Sequence, residues 1–251
     1  MKMSGNTILI TGGTSGIGRA LAEAFHDRGN NVIVTGRRQA LLDEIGRKRP
    51  GIVPLLLDLA DEAALAALPG IVKTHFPTLN IVIANAGISH AENLADGSWQ
   101  VGKACSMIDT NIMGVLRIAA ALLPILQQQE NATFMATGSA LAFVPRAAFP
   151  TYCATKAFLH SWLQSLRHQL KDGPVEVFEL SPPYVQTALT GQAQLTDPRA
   201  MSLAVYTAQV MAKLERNDHE AGEILLPGDD FRRHAERDGR YEAVFSQLNP
   251  G

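Results

Sequence analysis

The stretch that most restricts the fold is Thr7-Ile8-Leu9-Ile10-Thr11, which runs into Gly12-Gly13-Thr14-Ser15-Gly16-Ile17-Gly18 and then Arg19-Ala20-Leu21-Ala22-Glu23-Ala24-Phe25. The first five residues read as a short buried strand. Leu21, Ala24 and Phe25 fall on one helical stripe, and Gly29 supplies a C-terminal stop. A glycine-rich turn between strand and helix lets the backbone approach a pyrophosphate, and the helix N-terminus adds oriented N–H groups and a positive dipole end. A tight turn without a ligand could use similar glycines, and the spacing is G-x-x-x-G-x-G rather than G-x-G-x-x-G. The strand–helix context favours the phosphate loop.

The same alternation continues. Asn31-Val32-Ile33-Val34-Thr35 is a second strand, Val53-Pro54-Leu55-Leu56-Leu57 a third and Asn80-Ile81-Val82-Ile83-Ala84 a fourth, with a helix over 61–75 between the last two. Strands and helices alternating in about 80 residues imply parallel βαβ units with right-handed crossovers. The second strand ends in Gly36-Arg37-Arg38, with no acid until Asp43. In dinucleotide folds an acid at this point binds the ribose 2′-hydroxyl of NAD, whereas arginine accommodates the 2′-phosphate of NADP. The pair could instead solubilise the next helix, but a basic pair is unfavourable at a helix N-terminus. NADP is the expected cofactor, preferred over NAD. Asp58, just past the third strand, could accept from an adenine amino group or cap the following helix.

The chain of 251 residues fits one α/β domain, and its 46% apolar and 18% charged residues fit a soluble protein with a substantial core. Lys+Arg of 22 against Asp+Glu of 24 gives a net charge of −2, with no basic excess for a nucleic acid. The first apolar run is too short for a signal peptide or membrane span. Cys105 and Cys153 lack the spacing of a metal site, so no metal is expected and a reducing cytoplasm is the expected location.

In the second half, residues 101–129 form a long apolar helical pattern. Asn111 interrupts it, bonded at a helix distortion or lying on the polar edge, and Pro124 should kink or interrupt the last turns. Ala132-Thr133-Phe134-Met135-Ala136-Thr137 is a strand leading to Gly138-Ser139, thirteen residues before Tyr152. Tyr152 and Lys156 are four apart at the start of a predicted helix over 151–171 and share a face. A nearby ammonium favours ionised phenol, so the pair is a plausible proton donor and acceptor near neutral pH. A solvated helix face would show the same spacing.

With these blocks in place, TGGTSGIG at 11–18, ANAG at 84–87, Asn111, Ser139 and YCATK at 152–156 appear in one order. Over residues 5–228 the chain resembles the single-domain short-chain dehydrogenases/reductases. The stretch from Ser139 to Leu170 is also similar to the DltE-type branch, often encoded with teichoic-acid D-alanylation genes. The resemblance implies an α/β, single-domain Rossmann-type doubly wound sheet of about seven mostly parallel strands, in the order 3-2-1-4-5-6-7. It implies NADP-dependent hydride transfer between nicotinamide and a carbonyl or secondary alcohol. Tyr152 would be the general acid/base, with Lys156 lowering its pKa and holding the nicotinamide ribose. Ser139 would donate to the substrate oxygen, and Asn111 would position a water relay. Gly12, Thr14, Ser15, Gly16, Ile17 and Gly18 would hold pyrophosphate, and Arg37 and Arg38 the 2′-phosphate. Asp58 and Leu59 would meet the adenine, and Asn85, Ala86 and Gly87 the adjoining ribose. Pro182, Val185 and Thr187 would contact the carboxamide. Members pair through the helices here at 101–129 and 151–171, so a homodimer or homotetramer is expected.

Two departures stand out. The family's glycine after Pro182 is Pro183, whose fixed φ and missing N–H bar a glycine-dependent path. Residues 188–199 lack periodicity and read as a flap, followed by a helix near 200–214. After Gly222–Gly228, which resembles a last strand, residues 229–251 form a C-terminal extension beyond the 1–228 catalytic domain, expected to be helical and packed on that domain or a partner subunit. The competing functions are a non-catalytic NADP-sensing scaffold on the same fold and a sugar-nucleotide epimerase or dehydratase, which usually needs a further substrate domain.

Overall fold

All five residues of β1 (Thr7–Thr11) are buried, because both faces of this strand are covered by helices. The computed structural model describes residues 1–97 and 99–250. Ser98 and Gly251, the latter the end of the C-terminal extension, lie outside the described residues. After β1 come α1 (Gly16–His26), β2 (Asn31–Gly36), α2 (Gln39–Lys48), β3 (Ile52–Leu56), α3 (Glu62–His75) and β4 (Leu79–Ala84). Then follow α4 (Val101–Ile108), a π-helical turn at Asp109–Met113, α5 (Gly114–Leu126), β5 (Ala132–Thr137) and α6 (Pro150–Leu170). The chain continues through β6 (Val175–Leu180), α7 (Leu203–Arg216), β7 (Glu223–Ile224), α8 (Asp230–Arg233) and α9 (Tyr241–Leu248).

The strands form one sheet in the order β3-β2-β1-β4-β5-β6-β7, and each neighbouring pair is parallel. This is the doubly wound Rossmann-like order expected from the sequence. Alternation along β1 sends Leu9 to one face, where it packs with α3, α5 and α6. Ile8 and Ile10 point to the other, against Leu21 and Phe25 of α1, Leu42 of α2 and Val210 of α7. The chain leaves β1 for β2 on one side and reaches β4 on the other. That reversal opens a crevice at the C-terminal ends of the strands, where such sheets bind ligands.

The long apolar pattern is one continuous rod with a defect. At Asp109–Met113 the helix widens into a π-turn around Asn111, so distortion rather than a polar edge accommodates that residue. Pro124 lies inside α5, which ends two residues later at Leu126. The rod Val101–Leu126 is long and apolar enough to cross a membrane by length and composition. Met107, Val115, Ile118 and Leu122 account for one side of that apolarity by packing inward. β7 is only two residues long, shorter than the last strand read from the sequence. The stretch beyond it closes over the loop between Ser139 and Tyr152. Ala235 and Val244 bury Val144, and Asn249 accepts from the Ala147 amide at 2.6 Å and donates to the Pro145 carbonyl at 3.2 Å.

Candidate active site

A cleft of about 900 Å³ lies at the C-terminal ends of the strands, within the size range of small-molecule sites. The β1–α1 turn forms its floor. Gly12 has φ +64°, and a Cβ there would come within 2.9 Å of Ala86 Cα, so the turn is pressed against the end of β4. Thr14, Ser15, Gly16 and Ile17 face the cleft. Gly18 is not on the wall: a Cβ there would collide with the Asn85 amide and approach the Gly12 carbonyl at 2.5 Å. Its requirement is close packing behind the turn. Ser15 opens α1 with an extended backbone, its side chain makes no cap bond, and no acid follows in the first turn. Among the described residues the amides of this helix end therefore have no side-chain acceptor, as a site for a phosphate needs. The residues present fit a dinucleotide.

Arg37 and Arg38 flank one end of the cleft, both exposed. Arg38 donates to Ser15 Oγ at 3.2 Å, and among the described residues neither guanidinium has a carboxylate partner. Asp58 and Leu59 line the same end. Asp58 accepts from the Ala60 amide at 3.0 Å, whereas Asp61 caps α3 by accepting from Ala64 N at 3.0 Å. The capping alternative thus belongs to Asp61. Asn85, Ala86 and Gly87 lie on the wall, but the Asn85 side chain is structural: it donates to the Thr11 carbonyl at 3.1 Å and accepts from Thr137 Oγ1 at 3.2 Å, tying three strand ends together.

Ser139, Tyr152 and Lys156 meet on the opposite wall. Pro150 at the first turn of α6 needs no N–H there, which lets the helix start two residues before Tyr152. Ser139 accepts from Leu141 N at 3.1 Å, which orients its hydroxyl, and it lies close enough to the Tyr152 phenol to favour that group's ionised form. Lys156 is 3% exposed and donates to the Thr137 carbonyl at 2.7 Å, its nitrogen 5.7 Å from the Tyr152 ring centroid. Asn111 is one layer behind, at 0% exposure. Its Oδ1 accepts from Ile88 N at 2.9 Å, and its Nδ2 donates to Ile88 O at 2.9 Å and Thr155 Oγ1 at 3.1 Å. Both amide protons are committed, so a water beside Lys156 would have to use an acceptor of Asn111.

The spacing of Tyr152 with Lys156 leads one to expect a phenol drawn toward neutral pH, and burial acts in the opposite direction. Burial pushes Tyr152 up to about 12, and Ser139 only partly offsets it. Burial also lowers Lys156 to about 8, against a pull upward from Glu179. Desolvation is the largest influence on both groups.

The loop that follows Pro183 reaches the cleft. Pro182, Val185 and Thr187 line the cleft, and the Thr187 methyl would lie 3.5 Å from a Cβ on Gly16, across the crevice floor. A bridge from Val185 to Met201 and the buried Gln194, which donates to Val185 O at 2.7 Å, hold this path. Gln194 sits in a short helical turn within the segment read as a flap. Sequence reasoning missed it, along with Thr155 and Glu92. Glu92 accepts from Thr151 N and Oγ1, both at 3.0 Å, and so caps the helix that carries Tyr152. Only the threonine, inside the YCATK block, carried any local signal.

The short chain dehydrogenase family pattern matches residues 6–198. The chain is 36% identical to DltE of Bacillus subtilis (strain 168), an uncharacterized oxidoreductase, over 99% of this chain and 98% of that one. The chain belongs to the short-chain dehydrogenase family. Among solved structures, a short chain dehydrogenase from Burkholderia cenocepacia J2315 in complex with NADP has a TM-score of 0.82 at 21% identity, covering 99% of both chains. A 3-ketoacyl-(acyl-carrier-protein) reductase from Brucella melitensis complexed with NADH has a TM-score of 0.78 at 22% identity, covering 89% of this chain and 97% of that one. Those two likenesses show the fold. As a short-chain dehydrogenase the chain is an NAD(P)-dependent oxidoreductase.

The buried Lys156 leaves a measurable imprint. Between its folded pKa of about 8 and its ordinary 10.5, the unfolded chain binds more protons, so this group makes stability rise with pH across that window. Below it, folding carries the full desolvation cost. Lys156→Met should therefore raise stability at pH 7 by roughly 1–3 kcal/mol, with the gain shrinking toward pH 10. Thermal melts of both proteins at several pH values check this.

Proposed function

We propose that this enzyme is an NADPH-dependent carbonyl reductase in which Tyr152 donates the proton. The observation that carries the reading is the convergence of Ser139, Tyr152 and Lys156 on one cleft wall, opposite a helix end free to hold phosphate. Bound nicotinamide would supply the hydride. A substrate carbonyl oxygen would take hydrogen bonds from the Ser139 hydroxyl and the Tyr152 phenol, which offset the negative charge developing there. A phenol pushed up to about 12 is protonated at neutral pH, the state needed to protonate that oxygen. Lys156 spends one N–H on Thr137 O and keeps two for the ribose hydroxyls. Asn111 holds the π-turn against α6, and its unused acceptors would seat the relay water.

The preference for NADPH rests on Arg37 and Arg38, exposed at the adenosine end and without carboxylate partners among the described residues. The apolar residues Val101, Ile108 and Met113 of the α4–α5 rod and Phe158 of α6 are exposed, which supports a homodimer or homotetramer built on those helices. A cytoplasmic location accords with two free cysteines.

NADPH should bind at least about tenfold more tightly than NADH, and replacing both arginines with alanine should erase most of that ratio. Fluorescence titration decides it, with equal affinities counting against the arginine reading. In a panel of aldehydes and ketones with NADPH, Tyr152→Phe should lower turnover by about 100-fold or more while leaving NADPH affinity within a few-fold. Turnover that survives this substitution would remove Tyr152 as the acid. Sedimentation equilibrium should give a dimer or tetramer at micromolar concentration; a monomer would leave the exposed helix faces unexplained.

A further inference from the structure

Behind the Ser139 wall lies a buried charge cluster that the reaction as described does not use. Glu179 on β6 and Glu223 on β7 are register partners on adjacent parallel strands, both buried. Two neighbouring carboxylates out of water repel and need compensation. His160 Nδ1 is hydrogen-bonded to Glu179 at 2.8 Å and its Nε2 to Gln164 at 2.9 Å, so the imidazole bridges the amide and the carboxylate. Ser181 Oγ donates to the other Glu179 oxygen at 3.3 Å. Arg233 of α8 grips Glu223 with two bonds at 2.6 and 3.0 Å, and its guanidinium lies 5.1 Å from the Phe143 ring, whose edge meets His160 at 5.0 Å between centroids. Arg167 of α6 completes the set, donating to Val177 O at 3.0 Å.

This cluster touches the catalytic wall at two points. A Cβ on Gly138 would fall 2.5 Å from Glu179 Oε1, so the backbone just before Ser139 lies directly on the carboxylate. His160 follows Lys156 by one helical turn on the same stripe of α6. The Thr137–Gly138 backbone is thus held between the Lys156 ammonium, which bonds Thr137 O, and the Glu179 carboxylate. The ligand atoms of His160, Glu179 and Glu223 lie within 4.8 Å of one another, a spacing a metal ion could use, but Arg233 already supplies the cation.

We propose that Glu179 is a positioning residue for the reaction: held by His160 and balanced by Arg233 of the C-terminal extension, it pins the Gly138–Ser139 wall and keeps the buried Lys156 amine charged. The proposal rests on the reading of Lys156 as a cofactor-binding cation. It also gives residues 229–250 a task, since Arg233 sets how much negative charge reaches Lys156. Attraction from Glu179 does oppose the effect of burial on Lys156. The charged and titratable groups facing Glu179 are Lys156, His160 and Arg167 from α6, Glu223 from β7 and Arg233 from α8.

The test reads Lys156 directly. Acetylation by acetic anhydride, followed peptide by peptide with mass spectrometry across pH 6–10, reports the fraction of free amine without substrate or cofactor. In Glu179→Gln the midpoint for Lys156 should fall by at least about half a pH unit, so that its acetylation below the midpoint is about threefold faster. Glu179→Asp should stay near wild type. Arg233→Gln should move the midpoint the opposite way, because it unmasks carboxylate charge. A merely structural role for Glu179 would lower melting temperature without these opposed shifts. If a variant with native circular dichroism shows no shift, or both shift in one direction, the proposal fails. Should Glu179→Gln not fold, the Asp and Arg233 variants decide alone. NADPH titration of the same wild-type sample keeps the two readings apart: no binding overturns the proposed function, whatever the Lys156 midpoints show.

Discussion

Lys156 carries its ammonium into the crest of the parallel sheet at 3% exposure, where its protein hydrogen-bond acceptor is the Thr137 carbonyl at 2.7 Å. A cation taken out of water costs several kcal/mol unless it is bonded and balanced. Much of the surrounding structure can be understood as meeting that cost. Glu179 provides the opposing charge, and Asn111 and Thr155 lock the helix turn that bears the amine to the π-turn beside it. The same burial that depresses the lysine raises the neighbouring phenol, so the two groups at this end of the cleft are displaced from their ordinary pKa values in opposite directions.

The doubly wound sheet supplies the place where this is possible. Carbonyl groups at the C-terminal ends of parallel strands point out of the sheet without ladder partners, and helix N-termini point toward them. A cation can therefore be met by a strand-end carbonyl on one side of the crevice while a helix end offers amides to an anion on the other. Asn85 makes the arrangement rigid by joining the ends of β1, β4 and β5 through its side chain. Glu92 and Gln194 do comparable work at the rim, one capping α6 and the other holding the loop after Pro183.

Much of the fold was legible because parallel βαβ units write themselves locally. Each strand is a short apolar run, each helix has a stripe, and the turn between β1 and α1 needs glycine where the backbone meets β4. The positions of Tyr152 and Lys156 on one face followed from helical spacing. The protonation states did not, because desolvation depends on what covers a residue, and Ser139, Asn111 and the loop that Val144 anchors come from distant parts of the chain. Asp58 and Asp61 show the same limit at small scale. Either could have capped α3, and only the folded backbone chose Asp61.

The sequence alone determined the alternating architecture, the phosphate-loop candidate, the arginine pair and the spacing of Tyr152 with Lys156, since each is a pattern of neighbours or near neighbours. Tertiary structure decided what those patterns become. It moved Gly18 and Asn111 behind the wall, placed a carboxylate from β6 against the backbone beside Ser139, and brought Arg233 of the C-terminal extension to balance it. Such charges are coupled through low-dielectric space rather than along the chain, and their strength is set by distance and burial that no local pattern records.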